Sequence, residues 1–182
     1  ENFTGTTQLK LDNSGRVLIG TTTEGVGGAD NFTIAGSGDS GMTIRSGTSS
    51  TGGLYFSDGT SGADEYRGVI SYNQASNYMR FYTDASERLR IDSSGRLGVG
   101  TTSPQLGVHF YHASDNGILL LESGDANCRL DLKDTGGESS IQAIGNNLTF
   151  NTSSSVTERM RIDSSGHVGI GTTSPDDFDA DC

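Results

Sequence analysis

The residues of this chain that could do chemistry are scattered, and each group lacks a part that its chemistry needs. Gly36-Ser-Gly-Asp-Ser-Gly41 spells a dinucleotide-binding glycine pattern. That pattern works only when it opens a helix inside a βαβ unit, so that backbone N–H groups meet a pyrophosphate. Here it leads into the strand-like Met42-Thr43-Ile44, which favours a glycine-rich hairpin instead. Gly38-Asp-Ser-Gly41 has the form of a serine-protease nucleophile segment, yet the His-bearing and Asp-bearing segments that would activate Ser40 are absent. His109 and His112 lie three apart on a predicted strand, which points them to opposite faces and keeps them from sharing a metal. The acidic end Asp176-Asp-Phe-Asp-Ala-Asp181 carries carboxylates for Ca²⁺ without the spacing or glycine of an EF-hand loop, and a solvated end is the simpler reading. Sequons at Asn2, Asn31, Asn147 and Asn151 are what a Ser- and Thr-rich chain produces without selection. Carboxylates are numerous enough to form a glycan-cleaving pair. Against that, the chain is built from short segments and has few aromatics to stack on sugars. Tyr66, Tyr72, Tyr78, Phe81 and Tyr82 cluster in sequence, either to line a shallow glycan-binding surface or to pack between strands, and packing is favoured. No nucleophile, base and orienting group assemble at plausible spacing, so no enzymatic activity and no cofactor are expected.

Composition narrows the remaining classes. Only 31% of the 182 residues are apolar, 27 are glycine and none is tryptophan, which undersupplies a single-chain core. The apolar residues that exist are β-branched or aliphatic and come in short alternating runs, so the chain folds with help. That help could come from metals, disulfides or other subunits; Cys128 and Cys182 are too few for a disulfide scaffold, and association between subunits is the favoured source. A net charge of −11 argues against nucleic acid and against an anionic membrane surface. Ile118 to Leu121 is the purest aliphatic stretch and is far short of a membrane span, so no membrane insertion is expected. The chain opens on Glu1 and its first repeat begins almost at once, which reads as part of a longer or processed polypeptide.

The elements that organise these residues are repeated. Leu9-Lys-Leu-Asp-Asn-Ser-Gly-Arg-Val-Leu-Ile-Gly-Thr-Thr is matched by Leu89-Arg-Ile-Asp-Ser-Ser-Gly-Arg-Leu-Gly-Val-Gly-Thr-Thr and by Met160-Arg-Ile-Asp-Ser-Ser-Gly-His-Val-Gly-Ile-Gly-Thr-Thr. Asp12 and Asp92 are 80 residues apart, and Asp92 and Asp163 are 71 apart, so each unit is a small module rather than a solenoid turn. Gly41–Gly47 parallels Gly117–Gly124, and Met79–Thr83 parallels Leu148–Thr152. The spacing predicts a closing hairpin over 1–20, modules over 21–100 and 101–175, and an acidic tail over 176–182.

Within the motif, apolar residues alternate with polar ones at the period of strands that have one buried face. Asp92-Ser-Ser-Gly95, like Asp12–Gly15 and Asp163–Gly166, fits a type I turn closed by a left-handed glycine, as in a three-residue hairpin with a bulge. Leu89, Ile91, Leu97 and Val99, with Met160, Ile162, Val168 and Ile170 as equivalents, form the predicted oligomer core. Arg90, on the opposite face, is expected to contribute little. Pro104 and Pro175 are read as punctuation between modules. Further strands are predicted at Phe32–Ile34, Leu54–Phe56, Val69–Tyr72, Val108–Phe110 and Arg129–Leu132, and the class is all-β.

At Glu87-Arg-Leu-Arg-Ile-Asp-Ser-Ser-Gly-Arg-Leu-Gly-Val-Gly-Thr-Thr-Ser-Pro104 and its counterpart Glu158–Pro175, the chain resembles the tail-fibre-like proteins of tailed bacteriophages. With Leu54–Gly62 and Tyr66–Asn73, the resemblance covers most of the chain. It implies an elongated homotrimeric fibre of short β-hairpin modules, displayed extracellularly on a virion, joined to other tail proteins and used to reach or hold the host surface. A glycan-binding adhesin is the alternative and a polysaccharide depolymerase a more distant one. In such proteins a C-terminal self-cleaving chaperone often succeeds the repeats, whereas here only seven residues come after Pro175. The motif carries no fixed catalytic or receptor-contacting residues. Any receptor contact is expected on the variable stretches Asp58–Glu65 or Ser123–Asn127. About a threefold axis even a single His109, His112 or His167 would be supplied three times and could form a three-histidine site, though solvated histidines are the expected state.

Overall fold

The computed structural model describes residues 9–153 and 156–175, so Asn2, the acidic tail and Cys182 lie outside the described residues. The fold is all-β, with 41% of the chain in strands and no α-helix among the described residues. Its one helical element is a 3-10 turn at Gly62–Tyr66. The chain divides into two compact units, Glu1–Tyr111 and His112–Cys182.

The first unit holds two sheets. In the smaller, β1 (Leu9–Leu11) pairs antiparallel with β2 (Val17–Ile19), which pairs parallel with β3 (Phe32–Ile34). In the larger, β4 (Thr51–Phe56), β5 (Gly68–Asn73), β6 (Tyr78–Thr83), β7 (Ser86–Ile91) and β8 (Leu97–Val99) form an antiparallel meander, and β9 (Val108–Phe110) adds in parallel to β8. The second unit holds one antiparallel meander of β10 (Asn127–Lys133), β11 (Glu138–Ile144), β12 (Asn147–Thr152), β13 (Thr157–Ile162) and β14 (Val168–Ile170). β10 to β14 repeat β4 to β8 in order and register: Phe81 faces Leu89 as Phe150 faces Met160.

Each repeat turn closes in the same way. Asp92 N–H donates to the Arg96 carbonyl at 3.0 Å and Gly95 N–H to the Asp92 carbonyl at 2.9 Å, which completes a type I turn. Gly95 then sits at φ +77°, and Gly15 and Gly166 at +78° and +89°, the left-handed geometry that lets the second strand leave in register.

The sheets overrun the sequence repeat by one strand. β3 and β9 come after the Gly-Thr-Thr segment and return beside β2 and β8, so a strand from the start of one repeat completes the sheet of the repeat before it. This parallel return requires glycine at Gly20 and Gly100. Both have positive φ, +73° and +74°, and a Cβ at either would collide with a backbone carbonyl, of Ala35 or Tyr111. Pro104 lies within that crossover and is buried, 3.5 Å from where a Cβ on Gly98 would stand. It packs against the sheet where the chain is redirected from β8 to β9. Met42-Thr-Ile44, read from sequence as strand-like, lies outside any strand, as does Ile118–Leu121. An alternating pattern becomes a strand only when its backbone pairs with an edge.

Candidate assembly face

A strand alternates its side chains between two faces, and registration across a sheet lines them into rows. In the larger sheet, Leu54, Ile70, Phe81, Leu89, Val99 and Phe110 stand opposite one another from β4 to β9. Tyr72, Met79, Ile91, Leu97 and Val108 form a second row on the same face. In the second unit the corresponding rows are Leu130, Ile141, Phe150, Met160 and Ile170, then Cys128, Ala143, Leu148, Ile162 and Val168. The sequence-predicted core residues therefore share one apolar face in each sheet.

That face is open. Leu89, Leu97, Val99, Met160 and Ile162 are half-buried by their neighbours, whereas Ile91 is 43%, Val168 51% and Ile170 78% exposed. Among the described residues the buried hydrophobic core consists of Leu18 and Val69 alone. Burial falls on the other face instead, where Ser71, Ser140, Gln142, Thr149 and Asn151 are enclosed. Thr149 and Asn151 stay solvated by their own kind: the Asn151 amide donates to Thr149 Oγ1 at 3.1 Å and to Ser140 Oγ at 3.3 Å.

The polar face is held by an ion pair that a regular strand could not make, since residues i and i+3 of a strand point to opposite faces. Opposite Phe81 and Tyr82 of β6, a β-bulge in β7 leaves Arg88 as the extra residue and turns Glu87 onto the face of Arg90. Arg90 Nε and Nη2 then donate to the two Glu87 oxygens at 2.6 and 2.8 Å. The second unit repeats the device. A bulge between Phe150 and Asn151 brings Arg161 to Glu158 at 2.7 and 2.9 Å. The bulged residues are used as well, because the Arg88 and Arg159 carbonyls accept the N–H of Gly100 and Gly171 at 2.9 Å. The expectation that Arg90 is a bystander is overturned: its side chain is 15% exposed, is paired through Nε and Nη2 with both Glu87 oxygens, and lies 4.2 Å over the Tyr78 ring. Glu87 is the main reason the Arg90 guanidinium stays protonated beyond its ordinary range.

The turn aspartates are hubs. Asp92 Oδ1 accepts the N–H of Ser94 and Arg96 at 2.9 Å each, and Oδ2 accepts Arg96 Nε at 2.8 Å. Asp12 repeats this with Ser14 and Arg16, and Asp163 with Ser165 and His167. The N–H of Arg16, then its side chain, hold the Asp12 carboxyl down to about 2. Asp92 is likewise lowered, chiefly by the Arg96 N–H. At Asp163 desolvation pushes upward and is outweighed by hydrogen bonds from His167 and Ser165.

The aromatic cluster read from sequence is split by the sheet. Tyr72 and Phe81 belong to the apolar face, while Tyr78 and Tyr82 lie on the polar face, where Arg80 stands 5.5 and 5.0 Å from their ring centroids. Tyr72 and Phe81 therefore share no face with Tyr78 and Tyr82. The three histidines have separate settings: His109 is opposite Gly98 on the polar side, the His112 ring accepts the Asp115 N–H at 3.0 Å, and His167 belongs to its turn. Among the described residues no group of three or more His, Cys, Asp or Glu side chains is placed to hold a metal. Ser40 is exposed and its hydroxyl reaches only the Gly38 carbonyl, at 3.5 Å. The sequon residue Asn151 is 5% exposed, which closes it to modification in the folded chain.

The bulge, the Glu–Arg pair and the Asp–Arg hook are structural features that pattern reading missed. Their signal is present in the repeated Glu-Arg-x-Arg-Ile-Asp-x-Ser-Gly frame, whose charged residues are as regular as its apolar ones. The arrangement presents an apolar sheet face backed by a polar layer whose Glu–Arg charges are paired within it. In comparison with known proteins, the chain matches no family model, and no curated protein is significantly similar to it.

Proposed function

We propose that the chain is a structural segment of a bacteriophage tail fibre, associating as a homotrimer through its apolar sheet faces. On this reading it sits on the virion, outside the cell, contributes to host-surface attachment and has no enzymatic activity. The observation that supports it most is the inversion of burial, in which aliphatic rows are open while Ser, Thr, Asn and Gln are enclosed. Burying one side chain of this size contributes roughly 1.5–3 kcal/mol, and a row shared by three chains realises that gain three times. The repeated Glu-Arg-x-Arg-Ile-Asp turn frame supplies the link to tail fibres.

Native mass measurement tests the assembly. A trimer of a 19.0 kDa chain has a mass of about 57 kDa, three times the single chain. A monomer at micromolar concentration sinks the proposal. Adsorption of the purified assembly to candidate host cells, with no release of reducing sugar from their capsule, is the expected result for an attachment protein. Sugar release would show an enzyme.

A further inference from the structure

Two stretches have the composition of strands and none of the pairing. Met42-Thr-Ile-Arg-Ser46 and Ile118-Leu-Leu-Leu121 occupy corresponding places in the two repeats, each just before the edge strand, β4 or β10. Among the described residues no backbone N–H or C=O of 42–46 or of 118–120 has a hydrogen-bond partner. Leu121 contributes only its carbonyl, which accepts the Cys128 thiol at 3.3 Å.

The side chains are as exposed as the backbone. Met42 and Ile44 are 54% and 44% exposed, and Ile118 to Leu121 are 50%, 57%, 81% and 48% exposed. Water can satisfy an open backbone but not four consecutive aliphatic side chains. Because successive side chains of an extended segment point to opposite sides, Ile118–Leu121 is apolar on both, the signature of a strand covered above and below. Its own unit leaves about half or more of each of these side chains exposed. The free groups that could pair with it are present too, since β4 and β10 each have a neighbour on one side only.

Both arms leave the sheet at the same point. The Ile44 Cγ2 stands 3.3 Å from where a Cβ on Gly52 would be, and Leu121 touches Cys128, the residue at the Gly52 position in β10. Beside the first arm an open groove of about 230 Å³ lies between Met42 and Ile44 and the apolar-face residues Leu54, Ile70, Tyr72 and Met79.

We propose that these segments are exchange arms, each completing the equivalent module of a second copy of this chain by adding to the free edge of its β4 or β10. The proposal rests on the self-association reading and specifies how copies join. A second copy is the occupant because the partner must match both modules at once. The arms are 77 residues apart, Ile44 to Leu121, and the edges 76 apart, Gly52 to Cys128, so the chain carries its own complement in the same order. Each copy gives arms and receives arms, a heterologous contact that closes into a ring.

The test places p-benzoylphenylalanine at Leu120 or at Met42 of the full chain, both exposed enough to take the probe without repacking. The assembly is then irradiated in a mixture of isotopically labelled and unlabelled chains. Adducts joining labelled to unlabelled chains at 127–133 for the first probe and at 51–56 for the second are expected. Amide exchange at 118–121 should slow at least about a hundredfold in the assembled protein. An intact trimer that gives only intrachain adducts, or whose arm amides exchange freely, overturns the arms and leaves the trimer standing. A monomeric native mass overturns both.

Discussion

The larger sheet of the first unit and the sheet of the second keep one face and change the other. On the apolar face Leu54, Ile70 and Phe81 become Leu130, Ile141 and Phe150, the same character at every step. On the polar face Tyr78, Arg80 and Tyr82 become Asn147, Thr149 and Asn151, so a stack of rings and guanidinium groups gives way to a ladder of small hydrogen-bonding side chains. Only the Glu-Arg pair is common to both. Small amides and cation–aromatic stacks both satisfy themselves within the layer, so either works there. On the proposed reading the apolar face meets another copy of the chain, which would hold its chemistry constant from one sheet to the other.

The largest effect expected from this comparison is loss of assembly. Ile91→Asp and Ile162→Asp, at the same position of the two sheets, each place an unpaired charge in a face proposed to be shared. Both should reduce the native mass to that of one chain. If neither moves the mass or the melting temperature, the apolar face is not an interface in either sheet.

A smaller effect separates the sheets. Gly100 and Gly171 have the same backbone, φ +74° and +72°, but only at Gly100 does a Cβ meet a carbonyl, that of Tyr111. Nothing stands within 4 Å at Gly171 among the described residues. Gly171→Ala should cost about 1–2 kcal/mol for the left-handed conformation, and Gly100→Ala about 1–3 kcal/mol more for the displaced strand. Equal losses in denaturant titrations would show that the parallel return of β9 carries no weight.

Below that lies the bulge pair. Glu87→Gln leaves the enclosed Arg90 with a neutral partner and should cost about 1–2 kcal/mol. Glu158→Gln should cost less, because among the described residues Arg161 has no ring stacked on it comparable to Tyr78. A reversed order of melting temperatures would mean that the Tyr78 stack adds nothing.

The smallest effect is a titration common to both sheets and to the first hairpin. A carboxyl held low in the folded chain stabilises it above the unfolded pKa, near 3.8, and that contribution disappears as pH falls through the folded value, about 2 for Asp12. Asp92 and Asp163 are lowered too, so stability should decline from about pH 4 downward. In Asp92→Asn this acid limb should flatten, and an unchanged limb would place the acid sensitivity elsewhere.

What the amino-acid order determined by itself is what neighbours in sequence decide. The Asp-x-Ser-Gly turns, the period-2 strands around them and the all-β class depend on residues within six positions of one another, and all are legible. The apolar face was legible for the same reason, as Leu89, Ile91, Leu97 and Val99 alternate across a turn whose geometry is local. Tertiary structure decided whatever depends on a partner distant in the chain. A bulge exists only against an opposing strand, so Glu87 meets Arg90 because β6 lies beside β7. Gly100 must be glycine because Tyr111 returns to it, and Pro104 is buried because the crossover brings it to Gly98. Pairing likewise separated Val108–Phe110, a strand beside β8, from the equally apolar Ile118–Leu121, which pairs with no strand among the described residues. A pattern of side chains specifies which surfaces can be buried, but the hydrogen bonds that make a strand need a second backbone, and the sequence of the first does not say where that backbone comes from.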